Sequence, residues 1–393
     1  MAVTVNPHLM DDIGKMGAFD ISACYNCGTC TAICPLSEEG HELPRKLIRY
    51  ASLGIKDKMV SAPEVWLCYF CGECSTSCPR SADPGQFMMA ARRYVTRRYS
   101  WGRIADAFYR SKLVSAMAFL AFPIIMLGLF ALQHGEIVTD RVDMWAFISM
   151  DLIHELGLVV MAFLGLSVVA NLLIMYRSLS RDSGAANPRT VPFSKRLGIW
   201  IKTIFTTVAP EIIAQRRFVK CDENSAEKDK TATNKYLAHM ALFWGFVGLA
   251  VATVLDYAIN EYGLEVTKDV PRAIGIVSGV VLMYGASYFI YKRLKKGEVF
   301  STYTHFTDWA FLILLWLGGL TGFIVDVFMY AGMPLATYAS MVVHFLVAFD
   351  LLITLPFTKF AHAMYRPFAL WIVSARNQIS SQASEADQGQ AAL

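Results

Sequence analysis

The chain has 393 residues, of which 55% are hydrophobic and only 17% charged, with a formal net charge of +4. Soluble domains carry nearer a quarter charged residues, so a wholly soluble chain is excluded. The apolar excess is uneven: residues 1–112 are polar and cysteine-rich, most of 113–373 is apolar, and the length suffices for two domains.

The opening stretch MAVTVNPHLMDDIGKMGAFD has no apolar h-region, so no secretory signal is expected there and the cysteine-rich part is expected in the cytoplasm. In that reducing compartment metal is a better reading of the cysteines than disulfides. Two matched runs follow, CYNCGTCTAICP and CYFCGECSTSCP, each spaced C-x2-C-x2-C-x3-C-P and offset by 44 residues. Two thiolates two residues apart share a metal, a third wraps one face of a cubane, and the fourth is displaced and followed by proline. This is the pattern of bacterial ferredoxins, in which the fourth cysteine ligates the other cluster. It assigns Cys24, Cys27, Cys30 and Cys78 to one [4Fe-4S] cluster, and Cys68, Cys71, Cys74 and Cys34 to a second. Structural zinc competes, but usually comes as separated CxxC pairs. Thr31 and Ser75 stand where a c-type haem motif needs histidine. Cys221, alone in a charged loop, is assigned no role.

Between the runs, HELPRKLIRYASLG places Leu43, Leu47, Ile48 and Leu53 at helical spacing, with Gly54 as a stop. SAPEVWLC opens a helix with Ser61 as cap and Pro63 and Glu64 in the first turn. Residues 1–105 are therefore expected to form an α-helical ferredoxin domain. The basic and aromatic stretch RRYVTRRYSWGR resembles a nucleic-acid surface. It stands just before an apolar span, so it reads as a cytoplasmic membrane-surface segment, and no nucleic-acid partner is expected.

Six apolar spans follow, at 113–132, 144–176, 236–255, 273–291, 309–325 and 337–358, each about long enough to cross ~30 Å of hydrocarbon. The expected fold is all-α: the ferredoxin domain, then a six-span transmembrane bundle over 106–373. On the side of the cysteines 26 Lys and Arg flank these spans, against Arg141, Lys268 and Arg272 opposite. This bias predicts a multi-pass protein of the cytoplasmic membrane with the cysteine domain and both termini inside. Near 193–217, FSKRLGIWIKTIFTTVAPEII reads as an amphipathic helix on the lipid surface. The tail 374–393 is polar and expected to be disordered.

Histidines within or at the edge of spans are costly and point to function. His344 and His362 are 18 residues apart, five whole turns of a straight helix, which Pro356 would kink. Matching depths pairs His154 with His344 and His239 with His362, as ligands of two stacked b-type haems, with His134 and His305 in reserve. Stacked haems make sense if quinone reacts near the outer face. There Glu155 and Asp151 are the candidates for proton exchange, with Asp350, or the inner pair His305 and Asp308, as rivals.

Residues 1–105, down to EVWLCYFCGECSTSCP, resemble the C subunit of heterodisulfide reductase. Residues 110–373 resemble the cytochrome b membrane subunits of respiratory nitrate reductase and heterodisulfide reductase, through the His344/His362 pair. In the nitrate reductase type the partner histidines are ten residues apart on one helix; here Leu249 stands ten after His239, and His154 serves instead. The fusion is similar to the C subunit of the quinone-interacting membrane-bound oxidoreductase complex of sulfate reducers. That resemblance implies two heterodisulfide-reductase-A-like flavin/iron–sulfur subunits as partners, menaquinone in the membrane lipid, and an indirect link to adenylylsulfate reductase. The expected function is a membrane electron-transfer subunit of a quinone-linked oxidoreductase complex in anaerobic sulfate respiration. The alternatives are the membrane subunit of a related heterodisulfide- or sulfite-reduction complex, and a non-redox anchor with structural zinc.

Overall fold

The structure, a computed structural model, describes residues 5–17, 19–37, 42–181, 191–223, 235–263, 267 and 269–391. Residues 1–4 and 18 of the quoted opening stretch, His41 of HELPRKLIRYASLG, and Lys268 lie outside these. Helices dominate and no strand occurs among the described residues. In chain order the longer helices are α1 (Arg45–Ser52), α2 (Pro84–Tyr99), α3 (Lys112–Gln133) and α4 (Met150–Ser180). They continue as α5 (Phe193–Ala214), α6 (Arg216–Glu223), α7 (Lys235–Tyr262), α8 (Asp269–Lys295), α9 (Phe306–Tyr330), α10 (Pro334–Thr354) and α11 (His362–Ala391).

Seven helices are long and apolar enough to cross a membrane: α3, α4, α5, α7, α8, α9, and α10 with its following turn. The chain is thus a multi-pass membrane protein by length and apolarity of its helices. Six of the seven coincide with the predicted spans, and the seventh is α5, which its sequence pattern predicts on the lipid surface.

The chain divides into two compact units. The first gathers 1–106, 167–228 and 359–393, the second 107–166 and 229–358. One division falls near 105, and the first unit also takes in 167–228 and 359–393.

In the first unit α2 is the central strut. Asp83 caps it, its carboxylate accepting from Gln86 N at 3.1 Å, and Pro84 fits the first turn, where no N–H bond is needed. Nearly every face of α2 is buried. Trp66 and Tyr99 pack on Tyr365 of α11 at ring distances of 4.9 and 5.5 Å. Along α11, Ala375, Ile379 and Ala383 recur every four residues and pack on Val191 and Ile199. That apolar stripe is why the tail predicted to be disordered is helical as far as Ala391. Trp371 Nε1 donates to the Trp200 carbonyl at 2.9 Å, and Thr207 and Ser374 share a hydrogen bond of 2.9 Å, so α5 and α11 are joined along their length.

In the second unit α7 and α8 cross at glycines. A Cβ on Gly245 would stand 2.6 Å from Leu282 N, and one on Gly285 would stand 2.5 Å from the Ala238 carbonyl. Such close approach is how membrane helices associate without a hydrophobic drive between them. Helices α9 and α10 form a hairpin closed by a Schellman turn. Gly332 sits at φ +63°, its N–H donates to Met329 O at 3.2 Å, and Met333 N donates to Phe328 O at 3.1 Å.

The kink expected at Pro356 between His344 and His362 is a full break in the helix. Helix α10 ends at Thr354, two short 3-10 turns follow, and α11 begins at His362. Pro356 has no N–H to continue the ladder. The two histidines therefore sit on separate helices and in different units.

Candidate metal centre

The sequence repeat is also a repeat of backbone conformation. Cys24 and Cys68 are both extended, at ψ 119° and 132°. Asn26 and Phe70 follow at φ 60° and 59°, then Gly28 and Gly72 at φ 92° and 99°. Each glycine opens a one-turn helix, Thr29–Ala32 or Glu73–Thr76. Cys34 N then donates to Thr31 O at 3.3 Å and Cys78 N to Ser75 O at 3.2 Å. Left-handed residues spaced by two gather successive amides into a concave nest that favours negative charge, and glycine adopts the second of them without a Cβ penalty. Phe70 N donates to the Cys68 sulfur at 3.4 Å.

Cys34 does not stay with its own run. It lines one pocket with Cys68, Cys71 and Cys74, among the side chains of Leu36, Leu43, Tyr69 and Met88. Cys24 and Cys27 are close enough to Cys30 for their charge, after burial, to help push its thiol up to about 11. Beside Cys78, the Arg80 side chain reaches back to the Ala23 carbonyl at 3.3 Å, which brings the end of the second run to the start of the first. Among the described residues no three Cys, His, Asp or Glu side chains converge as ligands of a single metal ion. A cubane instead spreads its thiolates over four corners.

Four thiolates in an enclosed pocket call for positive charge, and two guanidinium groups stand beside them. Arg92, 7% exposed, donates to the Val65 carbonyl at 3.1 Å and the Cys68 carbonyl at 2.5 Å. Arg366 of α11 donates to the Cys68 carbonyl at 2.9 Å and lies 4.0 Å over the Tyr69 ring. Burial, then the Arg366 charge, pushes Arg92 down to about 9, while Cys68 pulls it back up. A guanidinium keeps its proton in a protein, so the shift measures an electrostatic burden that an anionic cluster relieves. The residues present fit a pair of [4Fe-4S] clusters.

Sequence reasoning gave Cys221 no role, yet it is 2% exposed and lines the same pocket as Cys34, Cys68, Cys71 and Cys74. Its place on the basic helix α6, far along the chain from both runs, carries no ligand spacing. The Tyr69 hydroxyl donating to Glu211 was equally hidden.

The membrane histidines are dispersed. The His154 ring lies 4.7 Å from Tyr257, with Nδ1 3.8 Å from the Glu261 carboxylate. His344 Nδ1 is 2.9 Å from the Thr321 hydroxyl. These two predicted partners thus face different helices. His239 sits near the start of α7, its ring 6.4 Å from Phe289, and His362 Nδ1 is 2.6 Å from the Lys359 carbonyl; this second pair falls on different units. His305 caps α9, accepting from Thr307 N at 3.2 Å. His134 is exposed beside the Gly135 carbonyl. Asp151 and Glu155 are exposed in the first turns of α4. Asp350 is 2% exposed, and its Oδ1 has no hydrogen-bond partner in the structure.

Residues 20–82 match the 4Fe-4S dicluster domain family. This region is thus similar to 4Fe-4S dicluster domains. The chain is 37% identical over 100 residues to a protein of Archaeoglobus profundus described as like the C subunit of heterodisulfide reductase, covering 25% of this chain and 53% of that one. It is 34% identical over 63 residues to the C subunit of the H(2):CoB-CoM heterodisulfide,ferredoxin reductase of Methanothermobacter thermautotrophicus, over 16% of this chain and 34% of that one. It is also 27% identical over 161 residues to citrate utilization protein B of Escherichia coli, over 39% of this chain and 41% of the other. The chain spans about half or less of the length of these relatives. No solved structure matches it.

Proposed function

We propose that this chain is the membrane subunit of a quinone-linked oxidoreductase complex, passing electrons between menaquinone and cytoplasmic flavin/iron–sulfur subunits in anaerobic sulfate respiration. The observation that carries the reading is Cys34, from the first run, lining one pocket with Cys68, Cys71 and Cys74. The ligand sets are Cys24, Cys27, Cys30 and Cys78 for one cluster and Cys68, Cys71, Cys74 and Cys34 for the other. Each cluster, when bound, supplies one-electron storage with little movement of atoms. The chain's own part is to hold the sulfurs, direct amides such as Phe70 N at them, and place Arg92 and Arg366 beside the Cys68 carbonyl.

For the membrane part, His154, His344, His239 and His362 are proposed as ligands of two b-type haems. Support comes from the Nδ1 contacts of His344 with Thr321 and of His362 with the Lys359 carbonyl. A hydrogen bond on Nδ1 orients an imidazole to offer Nε2 to a metal. Glu155 and Asp151 are proposed for proton exchange with menaquinone. Asp350 is a second candidate, favoured by its burial, since an unpaired carboxylate within a span is costly unless it functions. Helix α5 is proposed to lie along the membrane surface on the cytoplasmic side. Phe193, Leu197, Ile201 and Phe205 make an exposed stripe at four-residue spacing, as an interfacial helix needs, while Glu211 at its end binds Tyr69 of the ferredoxin domain. The proposed partners are heterodisulfide-reductase-A-like subunits, linked indirectly to adenylylsulfate reductase.

Anaerobically purified protein is expected to hold about eight iron atoms with matching acid-labile sulfide, on the pattern of two cubanes. Pyridine haemochrome analysis is expected to find two haems, and one after His344→Ala; absence of haem in the parent would remove the cytochrome reading while leaving the clusters. Glu155→Gln or Asp350→Asn is expected to slow reduction by a menaquinol analogue with the metal content intact. Unchanged rates in both would place proton exchange elsewhere. Co-purification in mild detergent identifies the partners.

A further inference from the structure

Cys221 is brought to the second pocket by contacts that have nothing to do with ligand spacing. Gln215, left-handed at φ 45° and ψ 49°, ends α5 and turns the chain into α6. The Glu211 carboxylate accepts from the Tyr69 hydroxyl and from Arg217 N at 3.3 Å. Phe218 stacks on the Tyr69 ring at 5.7 Å. Cys221 follows Phe218 by three residues, on the same face of a helix. Helix α6 therefore lies over the loop from Cys68 to Cys71, and the residue it presents there is a thiol. That thiol lines one pocket with Cys34, Cys68, Cys71 and Cys74 and is buried.

We propose that Cys221 is a hydrogen-bond donor to the Cys71 ligand of the second cluster and raises that cluster's reduction potential. The inference rests on the cluster assignment proposed above. A thiol offers one S–H donor, and the Cys71 sulfur is an acceptor in the pocket that Cys221 shares. Hydrogen bonds to cluster sulfurs stabilise whichever oxidation state carries more negative charge, which is the reduced one. Reduction adds one electron to the cluster from its electron donor; no bond forms or breaks and the Cys221 proton stays on its sulfur. Cys221 is thus a positioning and tuning residue, acting through Cys71. The equivalent ligand of the first run, Cys27, is exposed and has the Thr29 hydroxyl 3.3 Å away in place of a thiol.

The test is a redox titration followed by electron paramagnetic resonance on the full-length protein in detergent, for the parent, Cys221→Ala and Cys221→Ser. Cys221→Ala is expected to keep about eight iron atoms and both cluster signals, and to lower the midpoint of one cluster only. Cys221→Ser, with a hydroxyl donor, is expected to recover most of that shift. An unchanged midpoint in Cys221→Ala overturns the proposal. Equal shifts in both variants overturn it in favour of packing alone. Loss of about four iron atoms in Cys221→Ala overturns it in favour of direct ligation. A parent without cluster signals refutes the cluster reading itself, and this inference with it.

Discussion

In the cysteine domain, arginines are buried and reach across the fold. Arg92 and Arg93 are 7% and 5% exposed, Arg92 bonding the carbonyls of Val65 and Cys68 and Arg93 that of Met16 at 2.6 Å. In the second unit the buried polar groups are mostly small hydroxyls that stay local. Ser115, Thr321, Thr337 and Thr354 each donate to a carbonyl one turn back on the same helix or at its cap. The difference follows from surroundings. A guanidinium tolerates burial where carbonyls and an anionic centre face it, whereas a helix in lipid has neither water nor counter-charge and must satisfy its polar groups within itself. Asp350 breaks the second pattern, which is why it stands out as a candidate for function.

The comparison is sharpest at the ligands. Cys34→Ser is expected to remove about four of about eight iron atoms and to abolish the signal of the cluster held by Cys68, Cys71 and Cys74. Cys78→Ser is expected to spare that cluster and lose the other, and the reverse pattern would break the crossed assignment. Next in size is Arg92→Leu, which takes the guanidinium from the Val65 carbonyl, leaves the Cys68 carbonyl to Arg366 alone and removes a charge facing the cluster. It is expected to cost about 3–5 kcal/mol in denaturant unfolding followed by cluster absorbance, with Arg92→Lys less harmful. In the second unit Gly245→Leu is expected to force α7 from α8 at about 1–3 kcal/mol, seen as earlier thermal unfolding in detergent. Gly128→Leu serves as the control, since nothing lies within 4 Å of a Cβ there. Smallest is Thr337→Val, expected to cost under about 1 kcal/mol; a loss matching that of Arg92→Leu would erase the distinction between the regions.

Eight cysteines in two runs of fixed spacing identify the cluster domain without any coordinates, because ligands three and four positions apart are close in space whatever the rest of the chain does. Six spans of suitable length were equally legible, since hydropathy and bilayer thickness are local matters. Cys34 lines the pocket of Cys68, Cys71 and Cys74, a placement that spacing within one run does not contain. The histidines were harder to read. The 18-residue interval shares a face only along one straight helix, and beyond the kink foreseen at Pro356 the backbone breaks before His362 begins a new helix.

Local chemistry in the residue order therefore accounts for the class of metal centre, the all-helical character and the membrane spans. The rest came from contacts between residues far apart in the chain. Helix α11 is ordered because its stripe of Ala375, Ile379 and Ala383 finds Val191 and Ile199. Arg366 reaches the Cys68 carbonyl across most of the sequence. Cys221 reaches the second pocket because Glu211 and Phe218 engage Tyr69. No spacing rule encodes such encounters. They arise when separate helices bury complementary faces against one another, so they become visible only once the chain is folded.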